Sequence, residues 1–174
     1  LLNEFEKNYY KSFHQGISLN PILNCFQHTV KKYNITDDLI QSFLTSMRFD
    51  LNKEDYKTKK EYNDYIYGSA DVVGLMCLKV FVNGDEVKYN ELKYTAMKLG
   101  SAFQKVNFLR DLKDDYELLN RSYFPGVNLK ELSSCAKQKI IDEIEFDFKE
   151  AYEGVKLSLV FILHMFITKD YCIS

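Results

Sequence analysis

The stretch LGSAFQKVNFLRDLKDDYELLNRSYFP, residues 99–125, constrains the fold of this chain more than any other. Wound as an α-helix at about 100° per residue, it gathers Gln104, Asn107, Asp111 and Asp115 within an arc of about 80°. Leu99, Ala102, Phe103, Val106, Leu109, Leu112 and Tyr116 cover much of the remaining surface. A helix apolar over so wide a face is expected to be buried. Two carboxylates one turn apart on a buried helix are costly unless a positive charge pairs them. The stripe is therefore read either as a cation site or as a solvated face. Asp114 and Glu117 lie off it and are read as solvent charges.

Only 7 Gly and 2 Pro interrupt the 174 residues, so long elements are expected. Leu1, Leu2, Phe5, Tyr9 and Phe13 recur at mostly helical spacing and stop near Gly16. Asn20 followed by Pro21 predicts an N-cap and a helix to about Tyr33. Thr36, Asp37 and Asp38 open another, to about Asp50. A long helix is predicted over 59–81 and broken by Asn83-Gly84, and the next runs from about 88 to 119. The alternative over FVNGDEVKY is a β-hairpin, since Asn-Gly is a strong hairpin turn. Pro125-Gly126 ends a loop, and a last helical pattern runs from about Leu129 to the late 160s. The pattern predicts one all-α domain over residues 1–174, a single layer of packed helices.

The formal net charge is −2 with signs mixed along the chain, which argues against a nucleic-acid-binding surface. Cys25, Cys77, Cys135 and Cys172 are far apart and lack metal spacing. They read as reduced thiols of a cytoplasmic protein. The most hydrophobic segment, VKLSLVFILHMFI (155–167), is short for a membrane span and carries Lys156 and His164. It is read as a buried helix, with a membrane-facing helix as the alternative.

Asp111 and Asp115, at i and i+4, can share one cation or two. Mg²⁺ takes oxygen ligands, commonly a few carboxylates together with substrate phosphates. Asn107 and Gln104 add neutral oxygens, and Arg110 beside them can bind a phosphate oxygen. A second constellation is YIYGSADVVG, residues 65–74. Glycine costs about 1 kcal/mol against alanine within a helix, so its small residues serve close packing or leave room for something. Tyr65, Ser69, Val73 and Cys77 form an i, i+4 stripe suited to an apolar channel wall. The competing reading is a close helix crossing. Asp71 lies on another arc, as a wall residue or an exposed one. Arg48 in SMRFDL and Arg121 in RSYFP each serve either a phosphate or a nearby acid. His14, His28 and His164 have no partners at catalytic spacing.

These segments together resemble the squalene and phytoene synthase family. QKVNFLRDLKDDYELLNRSYFP is similar to its second aspartate-rich signature, Q-x-x-N-x-x-R-D-x-x-x-D followed by an arginine, a tyrosine and a proline. YIYGSADVVG is similar to its Y-C-Y-x-V-A-G-x-V-G, and SMRFDL resembles the M-R-x-D-L that precedes it. Order and spacing agree over about residues 36–127, and the wording looks closest to bacterial phytoene synthases.

The resemblance implies an isoprenoid synthase fold, here in part. It implies head-to-head joining of two geranylgeranyl diphosphates to phytoene, through a cyclopropyl diphosphate intermediate, in carotenoid biosynthesis. It implies Mg²⁺, or Mn²⁺ in its place, held by Asp111 and Asp115. Gln104 and Asn107 would support the diphosphate end, while Arg110 and Arg121 would contact phosphate. Tyr65 would stabilise cations, and Ser69, Val73, Gly74 and Cys77 would line the prenyl channel. A hydrocarbon product leaves peripheral contact with a membrane open. Asp71 stands where the signature has glycine, and the gap from Asp115 to Arg121 is one residue longer than in many relatives. No DxxxD occurs in residues 1–35 and the tail does not resemble the family's closing helices. The domain is therefore expected to be incomplete at both ends, to lack the first aspartate-rich motif, and to be inactive alone. A squalene-type or dehydrosqualene synthase using farnesyl diphosphate, and a non-catalytic protein that binds a prenyl lipid or a partner, remain as alternatives.

Overall fold

The computed structural model describes residues 1–52, 55–112, 123–126 and 133–170, and side chains within these except at Asn52 and 158–170. Helix α1 (Leu2–Gln15) ends at Gly16, whose φ of 74° lets its N–H reach the Ser12 carbonyl. Helix α2 (Pro21–Lys32) starts as its sequence requires: Asn20 Oδ1 accepts from the backbone N–H of Ile22 at 3.0 Å and of Leu23 at 3.4 Å. Helix α3 (Asp37–Asn52) opens on Asp37 and Asp38, which favour the positive end of the helix dipole. Helix α4 (Lys59–Ile66) is opened by a capping box between Thr58 and Glu61.

The helix predicted over 59–81 holds its course but changes winding. After α4 comes one π-helical segment, Tyr67–Asp71, then α5 (Val72–Phe81). The turn at Asn83 (φ 54°) and Gly84 (φ 75°) joins α5 to α6 (Glu86–Arg110), which Asp85 caps. The alternative hairpin does not form, because both flanks wind as helices. The last helix, α7 (Ser134–Asp170), packs along α6. Among the described residues there is no β-strand, so the all-α expectation holds.

Two apolar clusters hold these helices. Tyr9, Leu23, Ile40, Leu44 and Val72 join α1, α2, α3 and α5. Tyr62, Tyr65, Phe108, Phe124 and Ile144 join α4, the end of α6 and α7. The small residues of 65–74 allow close crossings. A Cβ on Gly68 would lie 2.6 Å from the Ser42 carbonyl oxygen, and one on Gly74 would lie 2.7 Å from that of Ala96.

Three expectations need correction. The helix predicted to run to 119 stops at Arg110, and Asp111 is its C-cap (φ −94°, ψ 2°). Aspartate has a low helix propensity, and nothing in a period count marks where that tells. The apolar face predicted for 99–116 is only partly buried: Phe103 is 56 % and Val106 38 % exposed. Of that face Ala102 is fully buried, and the surface that α7 and the π segment cover carries Ser101, Lys105 and Phe108 beside it. In the C-terminal run, Val155 and Leu157 are exposed rather than buried. Among the described residues no helix is long and apolar enough to cross a membrane.

Candidate functional site

The C-terminal end of α6 brings three of the four stripe residues together. Gln104 and Asn107 occupy successive turns, and Asn107 Nδ2 donates to Gln104 Oε1 at 3.4 Å. The Asp111 N–H closes the last helical bond on the Asn107 carbonyl at 2.9 Å. Gln104 Nε2 donates in turn to Ser69 Oγ at 3.1 Å, tying α6 to the π segment. Asp115 and Arg121 lie outside the described residues.

Arg110 faces Asp111 with two donors, Nε to Oδ1 at 2.7 Å and Nη2 to Oδ2 at 2.6 Å. These bonds hold the Asp111 carboxyl below the usual carboxylate range and raise the guanidinium in return. Asp111 is therefore a carboxylate at neutral pH. Both its oxygens accept from Arg110, so the guanidinium charge opposes a cation that approaches them.

Tyr65 sits beneath this end of α6. Its hydroxyl donates to Asp50 Oδ1 at 2.6 Å. Burial first, and the Asp50 acceptor second, push that hydroxyl far above the usual tyrosine range, so it stays protonated. Its ring lies 4.7 Å from Tyr56, 5.9 Å from Tyr123 and 6.0 Å from Phe108. Helical spacing alone gives Asp50 and Tyr123 no site role. Both belong to quoted segments, Asp50 as the acid of SMRFDL and Tyr123 as the tyrosine of RSYFP.

The proposed channel stripe divides. Ser69 is half-buried against Gln104, while Val73 and Cys77 are exposed. Gly74 faces the Ala96 backbone at the α5–α6 crossing. Asp71 is neither exposed nor part of that stripe. It is buried, and Ser101 Oγ donates to its Oδ1 at 2.7 Å. Burial raises its carboxyl to about 6, although the Ser101 hydrogen bond and the ammonium groups of Lys105 and Lys98 pull it down. Beside it, Lys105 Nζ lies 2.6 Å from Asp147 and 2.5 Å from Glu143, and Lys98 bridges to Asp147 at 2.8 Å. Arg48 pairs with Glu6 on α1, so it serves an acid.

The donors at the end of α6 are hard oxygens, a carboxylate and amide carbonyls, and this chemistry fits Mg²⁺. Among the described residues no group of three His, Cys, Asp or Glu converges. Two cavities of about 220 Å³ lie among α1, α2 and α3, away from these residues.

Comparison with known proteins agrees with the motifs. The family model for squalene/phytoene synthase matches residues 1–152. The 4,4'-diapophytoene synthase of Staphylococcus haemolyticus is 27% identical over 126 residues, 72% of this chain and 41% of that protein. The chloroplastic phytoene synthase of Daucus carota is 36% identical over 104 residues, 59% of this chain and 26% of that one. The phytoene synthase of Pseudescherichia vulneris is 32% identical over 107 residues, 62% of this chain and 33% of that one. The matched chain thus spans less than half the length of each of these relatives. The crystal structure of squalene synthase HpnC from Alicyclobacillus acidocaldarius superposes with a TM-score of 0.74 at 22% identity, covering 90% of this chain and 63% of that one. The fold is shared with that protein.

Proposed function

The chain belongs to the squalene/phytoene synthase family, whose members condense prenyl diphosphates head to head, and from that premise we propose that it carries diphosphate-binding residues of a phytoene-forming prenyltransferase. The observation that supports this reading is the run of Gln104, Asn107 and the Arg110–Asp111 pair along one end of α6, with Ser69 of the π segment against Gln104.

Mg²⁺ would be held by Asp111 and Asp115, with the Asn107 amide oxygen beside them. When bound, it would neutralise the charge on the leaving diphosphate. Arg110 exchanges the Asp111 carboxylate for a phosphate oxygen, a bidentate site for its planar fork. The role we assign to Tyr65, stabilising the allylic cation left when diphosphate departs, requires a face of its ring to be freed from Tyr56, Tyr123 or Phe108. The Tyr65 hydroxyl, committed to Asp50, keeps the ring in one orientation. The second prenyl chain attacks that cation, and the cyclopropyl diphosphate formed ionises again and rearranges. These cations need a site closed to water.

Titration of the chain with geranylgeranyl thiolodiphosphate in the presence of Mg²⁺ tests the reading. Saturable, metal-dependent binding that is lost in Asp111→Asn supports it. Binding indifferent to the metal and to Asp111 overturns it. A second reading takes the shorter farnesyl diphosphate, since a diapophytoene synthase and a squalene synthase stand among the relatives. Competition between thiolodiphosphates of the two lengths separates the readings. A cytoplasmic protein in peripheral contact with a membrane is the setting we propose, given a hydrocarbon product.

A further inference from the structure

We infer that Ser69 is a positioning residue, acting through Gln104 to fix the orientation of the Asn107 amide at the diphosphate end of the site. This role rests on the function proposed above.

The argument begins with the winding of the chain. Tyr67–Asp71 is π-helical, and the Val72 N–H bonds to the Tyr67 carbonyl across the widened turn. Such single π turns frequently accompany functional sites because they reorient the side chains they carry. Here Ser69 Oγ meets Gln104 on the neighbouring helix at 3.1 Å. The other end of that amide, Oε1, accepts from Asn107 Nδ2 at 3.4 Å. Both polar ends of Gln104 are thus engaged, one by the π segment and one by Asn107. With its nitrogen turned toward Gln104, Asn107 contributes its carbonyl oxygen to the donor set beside Asp111.

An amide oxygen and nitrogen have the same shape, so hydrogen bonds decide which way the group faces. The likened signature has valine where this chain has Ser69. Valine has no polar atom to offer Gln104, so here the serine hydroxyl, which can accept or donate, is what anchors the end of the Gln104 side chain to the π segment and keeps its other end against Asn107. Gln104 on this account is an orienting link in the chain from Ser69 to Asn107. Partners that orient a first ligand commonly change metal affinity by tenfold or more when removed.

The test uses the full chain labelled with ¹⁵N. The side-chain amide signals of Gln104 and Asn107 are followed in Ser69→Val and Ser69→Thr, with circular dichroism to show that the helices persist. The expected result is that Ser69→Val moves both amide signals and Ser69→Thr moves neither far. A shift confined to Gln104, or no shift, overturns the relay. Binding of Mn²⁺ with inorganic diphosphate is then measured by relaxation of water protons. Ser69→Val should weaken it about tenfold, and should have no further effect in a Gln104→Leu background. An additive effect, or unchanged affinity in Ser69→Val, overturns the role. If the unsubstituted chain binds no Mn²⁺ with diphosphate, the proposed function fails, while the amide signals still decide the relay.

Discussion

Arg110 grips the carboxylate of the residue that follows it, with Nε 2.7 Å from Asp111 Oδ1 and Nη2 2.6 Å from Oδ2. A guanidinium so placed favours the ionised carboxylate, yet repels a cation approaching it. Diphosphate reverses the balance, because it offers the same fork a stronger anion. Arg110→Gln should therefore let the Asp111 carboxyl rise toward its ordinary range. It should tighten binding of Mn²⁺ alone and weaken binding of Mn²⁺ with diphosphate. NMR titration of Asp111 and proton relaxation by Mn²⁺ measure the two effects. Weaker binding of Mn²⁺ alone would count against the argument.

The parts of this structure legible in the sequence are those fixed by neighbours along the chain. Asn20-Pro21 announced α2, and Gly16 the end of α1, because caps are local. Gln104 and Asn107 fell on one face because helical period alone puts them there. The register of Asp71 was not legible, since the π segment changes the turn on which a 3.6-residue reading depends. Nor was the burial of Lys105, whose partner Asp147 lies 42 residues away. The end of α6 at Asp111 carried no glycine or proline to mark it. Phe103 is apolar by composition but meets Phe148 edge to face on an exposed surface, and no period reports that.

Asp71 gives the fold a pH dependence of defined sign. Its carboxyl is raised from 3.8 to about 6 by burial, and the groups facing it are Ser101, Asp147, Lys105 and Lys98. A carboxyl raised on folding stabilises the protein fully below its unfolded value, and that contribution is lost as pH rises through about 6. A shift of this size corresponds to about 3 kcal/mol. Asp71→Asn keeps an acceptor for the Ser101 hydroxyl and removes the charge. The variant should match the parent near pH 4 and exceed its stability by up to about 3 kcal/mol at pH 8. Urea unfolding at the two pH values measures it, and parallel pH profiles would sink the assignment.

The ion pairs between α6 and α7 should behave differently. Asp147 is 1% exposed and is held by both Lys98 and Lys105. Removing one partner of a buried pair leaves an uncompensated charge, which costs about 3–5 kcal/mol. Lys98 still reaches Asp147, so Lys105→Met should cost about 3 kcal/mol, the lower end of that range. Replacing both charges, as in Lys105→Met with Asp147→Leu, should cost less than Lys105→Met alone. A double variant less stable than the single one would show that Lys98 needs Asp147 more than Asp147 needs Lys105.

Gly74 decides between the two readings of YIYGSADVVG, because they predict opposite signs. If Gly74 lined open channel space, Gly74→Ala would stabilise α5 by about 1 kcal/mol through helix propensity. In the structure its Cβ would lie 2.7 Å from the Ala96 carbonyl oxygen and 3.4 Å from that carbonyl carbon. Those atoms are the backbone of α6 and cannot rotate aside as a side chain would. Forcing an added methyl into such packing costs about 1–3 kcal/mol, which offsets or exceeds the propensity gain. Gly74→Ala should therefore be neutral to about 2 kcal/mol destabilising. Cys77→Ala, at an exposed position on the same helix, should stay within about 0.5 kcal/mol of the parent. Thermal or urea unfolding of the two variants side by side reads the difference. Because α5 and α6 carry Ser69's neighbours and Gln104 across this crossing, a destabilised Gly74→Ala should also loosen the Ser69–Gln104 contact. A stabilised Gly74→Ala would mean that the helices stand farther apart than described and that the stripe beside Gly74 has room for a ligand.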